Sequence, residues 1–150
     1  MTRSFLAAIV LAVLAAGCGV GSSAVDYSDP RSDAAGKTFA VSPGKGNIYL
    51  YRNQVYMSDT PLEVVLDEQW VAKTMGLTYF AVEVDTGKHM LRAKGDTPTT
   101  LDVFVSPGQN VFVLLQVSPS VMSIRGSLQV KDETSGQAGV RECRRIEVFE

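Results

Sequence analysis

The stretch Thr78 to Lys94, TYFAVEVDTGKHMLRAK, constrains the fold more than any other part of the chain. Phe80, Val82 and Val84 alternate with Tyr79, Ala81 and Glu83, the period of two of a half-buried strand. Leu91 and Ala93 alternate with Met90, Arg92 and Lys94 in the same way. Between the two runs lies Asp85-Thr86-Gly87-Lys88, where Gly87 can take a positive φ at no steric cost. Two alternating runs around a short Gly-bearing link predict a β-hairpin, with the rest of the domain built outward from it.

Further strand signals flank this pair. Asn47 to Arg52, NIYLYR, is bulky on both faces and predicts a central strand. Leu62 to Leu66 and Gln69 to Thr74 predict two short strands around Asp67-Glu68. Leu101, Val103 and Val105 form one face of another, closed by the turn Ser106-Pro107-Gly108-Gln109. Val111 to Val117, VFVLLQV, is continuously apolar, as expected of a strand buried on both faces. Ser118-Pro119-Ser120 predicts a break before a last strand over Val121 to Val130. Asp132, Thr134 or Ser135 can cap a short C-terminal helix that sets Val140 and Cys143 on one face, though Gly136 and Gly139 weaken it. The expected fold is all-β: a small antiparallel sandwich of about 7–8 strands over residues 45–150, with a possible short C-terminal helix.

The first residues speak to destination. Arg3 precedes Phe5 to Ala16, an unbroken apolar run of twelve residues. A bilayer span needs about 20 residues, so the run fits the core of a signal peptide. Ala15-Ala16-Gly17-Cys18 follows and resembles the lipobox of bacterial lipoproteins: small side chains beside the cut, then a cysteine whose sulfur carries diacylglycerol. Ala15 stands where leucine is commonest. An ordinary secretory cut within Leu14 to Gly17 is the competing reading; the abrupt end of the apolar run at Cys18 and the polar stretch after it favour lipidation. Residues 1–17 are therefore expected to be a signal peptide, and Cys18 the site of diacylglycerol and an N-acyl lipid. Gly19, where an aspartate would favour inner-membrane retention, points to the outer membrane and a domain facing the periplasm. Residues 18–44, rich in Gly, Ser, Ala and Asp, are expected to be a flexible tether, with only Phe39 and Val41 able to dock. A random coil of that length spans roughly 30 Å.

Composition excludes several chemistries. With 14 Lys+Arg against 16 Asp+Glu and no basic patch, nothing points to nucleic acid. Two cysteines and one histidine are too few for a thiolate or imidazole metal cage, and there is no calcium loop. A Ser-His-Asp triad would have to use His89, and no nucleophile-elbow motif surrounds any serine; a half-buried, hydrogen-bonded His89 beside the turn is the expectation. No cofactor, metal or catalytic residue is assigned, and the domain is read as non-enzymatic. Tyr49, Tyr51, Arg52 and Tyr79 are the candidate ligand-binding residues, a stacking face with a cation for a glycan, peptide or small anion; the competing reading is an arginine packed on those rings and paired with Glu63 or Glu83. Trp70 is expected in the core, with an exposed binding aromatic as the competing reading, and Cys143 is expected to pack as an apolar side chain, with a free thiol as the competing one. Expected partners are the membrane, through the lipid, and an envelope protein or glycan.

The runs Ile48-Tyr49-Leu50-Tyr51-Arg52, Thr78-Tyr79-Phe80, Gly87-Lys88-His89 and Pro107-Gly108 before Val111-Phe112-Val113 resemble a family of small bacterial lipoproteins whose shared domain is one of unknown function. The likeness covers roughly residues 45–145. Glu68 stands where the family has the glycine of an Asp-Gly turn, and Asp85-Thr86 where a proline commonly precedes Gly-Lys-His. The resemblance implies a β-rich lipoprotein domain and no activity.

Overall fold

A computed structural model describes residues 25–149 of the chain; the expected signal peptide, Cys18 and the first part of the expected tether lie outside them. The described residues form nine strands in two sheets and two short helices. In chain order these are α1 (Pro30–Gly36), β1 (Gly46–Arg52), β2 (Leu62–Leu66), β3 (Gln69–Thr74), β4 (Thr78–Val84), β5 (Gly87–Lys94), β6 (Thr99–Val105), β7 (Asn110–Ser120), β8 (Ser123–Lys131), α2 (Glu133–Arg141) and β9 (Arg144–Arg145). One sheet runs β8-β7-β1-β4-β9 and the other β3-β2-β5-β6. The all-β sandwich and its C-terminal helix are as expected.

The organising pair, however, is not a hairpin. β4 pairs with β1, Gly46 opposite Val84 through Arg52 opposite Thr78, whereas β5 pairs with β2 and β6. Asp85 and Thr86 carry the chain from one sheet to the other, and Gly87 takes φ +132° at that corner. A turn-forming pair after an alternating strand serves a sheet-switching corner as well as a hairpin. The Lys45 ammonium pairs with the Asp85 carboxylate there. Nor is the sandwich wholly antiparallel: β1 and β7 run parallel, as do β4 and β9.

Every residue of β1 is buried, and its two faces feed two apolar layers. Ile48 and Leu50 join Phe80, Val113 and Leu115 across from Val64, Leu91, Ala93 and Val103 in the space between the sheets. Tyr49 and Tyr51 point the other way and join Phe39, Tyr79, Phe112, Leu114, Val140 and Cys143. This outer layer is roofed by the two helices. The alternation is the pleat of a strand covered on both sides.

Residues 25–44, expected to belong to the tether, are built onto the domain. Asp29 caps α1 by accepting from the Arg31 and Ser32 N–H groups at 2.9 and 3.2 Å, with Pro30 in the first turn. Tyr27 bridges Ile146. Val25, Ser28 and Phe39 are buried. β7 likewise runs on through Pro119, which pairs with Ile124 instead of breaking the strand. Past Leu114 β7 has no β1 residue beside it, so a missing N–H at Pro119 leaves no ladder bond unmade on that side. The Gln54 amide extends the ladder instead, accepting from Val117 N–H at 2.8 Å and donating to its carbonyl at 2.6 Å.

Helix α2 lies close on the sheet because two of its residues lack a Cβ. A Cβ on Gly136 would sit 2.2 Å from Phe112, and one on Gly139 would sit 2.2 Å from Tyr51. In an exposed helix, Gly→Ala gains about 1 kcal/mol. Here Gly136→Ala and Gly139→Ala are each expected to destabilise the domain by on the order of 1–3 kcal/mol through overpacking, read as lower urea midpoints.

The β2–β3 turn gives a second test. Asp67 and Glu68 both take positive φ, +48° and +71°, in a two-residue link that glycine fits better than glutamate. Glu68→Gly is expected to raise stability by about 0.5–1 kcal/mol, and an unchanged or lower midpoint would show the left-handed backbone carries no penalty there.

Candidate functional site

Of the four residues proposed as a binding face, Tyr49, Tyr51 and Tyr79 are brought together and closed off in the outer layer, while Arg52, next along β1, turns to the other face. Tyr49, Tyr51, Arg52 and Tyr79 are all buried, none more than 3 % exposed. The rings of Tyr49 and Tyr79 stack at 6.3 Å and those of Tyr49 and Phe112 at 5.2 Å, with Phe39 wedged against Tyr49 and Phe112. Their hydroxyls hold α1: Tyr49 donates to the Gly36 carbonyl at 2.9 Å and Tyr79 to the Asp33 carbonyl at 3.0 Å. Burial pushes all three tyrosine pKa values up, so these groups stay protonated donors. A stacking face for a ligand needs open rings, and these rings lie under the helices.

Arg52 follows neither reading from sequence. It sits at the end of β1, fully buried, and donates to the backbone carbonyls of Thr60 at 2.5 Å and of Met57. It makes no ion pair with Glu63 or Glu83 among the described residues. Burial pulls its guanidinium below its ordinary value, against the opposing pull of Asp59. Its Nε has no hydrogen-bond partner. The side chain is an internal brace that fixes the loop between β1 and β2 by binding carbonyls. Cys143 is buried in the outer layer, and burial pushes its thiol up to about 12, which leaves it without thiolate reactivity near neutral pH.

His89 stands at the rim of the sandwich beside the β4–β5 corner. Its Nδ1 lies 2.6 Å from Asp67 Oδ2 and its Nε2 lies 2.8 Å from the Asp85 carbonyl. Asp67 Oδ1 accepts from the Met90 N–H at 2.9 Å. Histidine, both aspartates and the corner form one clamp. No serine hydroxyl joins it among these contacts, and the geometry is that of a cross-link, as expected for a shape-setting His89.

Trp70, expected in the core, is 44 % exposed and stacks on Phe149 at 4.0 Å and 14° between planes. A hollow of about 330 Å³ beside the pair is lined by Val71, Val82, Glu83 and Val148. A second hollow of about 730 Å³ lies between β6 and the start of α2, lined by Asp102, Phe104, Gln109, Lys131 and Asp132. It mixes charges of both signs around one exposed ring. No group of three or more His, Cys, Asp or Glu stands ready to hold a metal among the described residues. The Trp70–Phe149 pair was hidden from sequence because the partners lie 79 positions apart and in no shared pattern.

No family model and no curated protein matches the chain. The likeness to small bacterial lipoproteins therefore rests on its motifs.

The clamp makes a pH-dependent prediction. Both partners of His89, a carboxylate and a carbonyl, can only accept, so only the doubly protonated ring satisfies both. Burial pulls the His89 pKa down, but the Asp67 and Asp85 contacts outweigh it and the value is raised from 6.5. A raised folded-state pKa contributes stability that is full below the unfolded value and lost as pH rises through the folded one. Urea midpoints of wild type are expected to fall as pH rises from below 6.5 through that raised value, and His89→Gln is expected to flatten this dependence. The lowered Asp67 pKa acts in a separate, acidic window. Parallel curves for the two proteins would disprove the charged clamp.

Proposed function

We propose that the protein is a bacterial envelope lipoprotein: cut after Gly17, acylated on Cys18, and held at the membrane as a non-enzymatic domain that works through structural or interaction contacts. The observation that carries this reading is Ala15-Ala16-Gly17-Cys18 immediately after the twelve-residue apolar run Phe5 to Ala16. Each buried CH₂ of an acyl chain contributes about 0.8 kcal/mol, and one chain anchors only marginally. A diacylglycerol and an N-acyl chain on Cys18 hold the domain on the membrane for good. Gly19 favours the outer membrane, with the domain in the periplasm. The non-enzymatic part is supported by the roles of the candidate residues: Tyr49 and Tyr79 hold α1, Tyr51 packs against α2, Arg52 braces a loop and His89 clamps a corner.

The test is metabolic labelling. Cells fed an alkyne fatty acid are expected to label wild type, and Cys18→Ser is expected to lose the label and leave the membrane fraction. Equal labelling of the two would end the lipoprotein reading.

A further inference from the structure

The segment that leads into the domain runs along the edge that carries the exposed aromatic pair. Tyr27 bridges Ile146, and Glu147 donates its N–H to the Asp26 carbonyl at 2.8 Å. Continued one step, this antiparallel register sets Val25 level with Val148, beside Phe149. Phe149 donates its N–H to the Val71 carbonyl at 2.7 Å and lays its ring on Trp70. Both rings stay open to solvent, Trp70 at 44 % and Phe149 at 42 %. Tyr27, also exposed, continues the edge with the Arg144 guanidinium 4.3 Å over its ring.

We propose that the Trp70–Phe149 platform is the face by which the domain rests on the bilayer, its rings seated at the headgroup boundary of zwitterionic phospholipid. The proposal rests on the reading of Cys18 as acylated. Cys18 precedes Val25 by seven residues, and that much chain reaches at most about 25 Å when fully extended. The platform is therefore confined near the surface that holds the lipid, and a weak contact suffices because the docking is intramolecular. Tryptophan and tyrosine, apolar bodies with a polar edge, are the side chains that favour this depth. The other exposed apolar end is excluded by direction. β7 runs parallel to β1 and past it to Ser120, so the fully exposed Val121 and Met122 crown the end where β1 finishes. The edge segment leads from Tyr79 towards the opposite end of β4. Glu83, Asp26 and Glu147 stand near the platform as exposed acids. Their charge disfavours an anionic surface, hence the zwitterionic lipid.

Trp70 is the chain's only tryptophan, so intrinsic fluorescence reads this site alone. The full-length acylated protein would be reconstituted in phosphatidylcholine vesicles with plain or brominated acyl chains, its acylation checked by mass spectrometry. The expected result is a blue shift of Trp70 emission on vesicles and loss of intensity with brominated chains. In the double variant Trp70→Phe, Val121→Trp the reporter moves to the far end and is expected to keep its intensity. Acylated, vesicle-bound protein whose Trp70 is unquenched overturns the platform while leaving the lipoprotein reading intact. Equal quenching of the far-end reporter overturns it too, as does a blue shift that needs no vesicles and grows with protein concentration, which would put a second copy on the face. A mature chain without an acyl group overturns both readings.

Discussion

Strand β1 is the member on which the two layers of the molecule depend. Its alternating side chains supply Ile48 and Leu50 to the space between the sheets and Tyr49 and Tyr51 to the layer under the helices. Its neighbours follow from that position. β4 lies antiparallel on one side and β7 parallel on the other, so β1 has no open edge. A strand in this place must be apolar on both faces, and the one cation it carries, Arg52, has to spend its donors on loop carbonyls. The side chains that look most like a binding site in sequence are therefore the ones the fold uses most heavily inside.

Strand positions were legible because each rests on local alternation that survives in any sheet. The pairing of β4 with β5 was not. A two-residue link before a glycine permits either a hairpin or a corner, and the choice falls to β1 and β6, which lie more than 10 residues away along the chain in either direction. Helix α1 was missed although Asp29-Pro30 is a start signal, because the surrounding Gly, Ser and Ala read as linker. Its seven residues bury no side chain fully. It is held by what reaches it: two tyrosine hydroxyls from the sheet, and Arg145, which donates its N–H to Asp33 and its guanidinium to the Ser32 carbonyl. A helix held by its partners' donors leaves little pattern in its own sequence.

The candidate site divides in the same way. His89 was legible as a shape-setting residue because it lies two positions from a turn glycine. The buried rings were legible as a cluster but not as a covered one, since strand alternation gives the same pattern whether a face meets solvent or a helix. What covers them is α2, whose Gly136 and Gly139 look like helix weaknesses in isolation. In place they are what lets Phe112 and Tyr51 meet the helix backbone. Propensity and packing pull in opposite directions at these two positions, and packing decides.

The consequence for function is a division of the aromatic residues. Those of the outer layer are sealed between sheet and helices. Trp70 and Phe149 sit where the two sheets meet at one edge, outside both apolar layers, and join the C-terminal segment to β3. The segment beginning at Val25 packs beside that same C-terminal segment, so the entry to the domain and its exposed aromatic pair share one edge. The short pairing of residues 26–28 with 145–147 carries that link, and the Phe149 N–H on the Val71 carbonyl and its ring on Trp70 complete it. Under the proposed anchor at Cys18, the position of the aromatic pair relative to the bilayer would be set by these backbone hydrogen bonds, a few residues long.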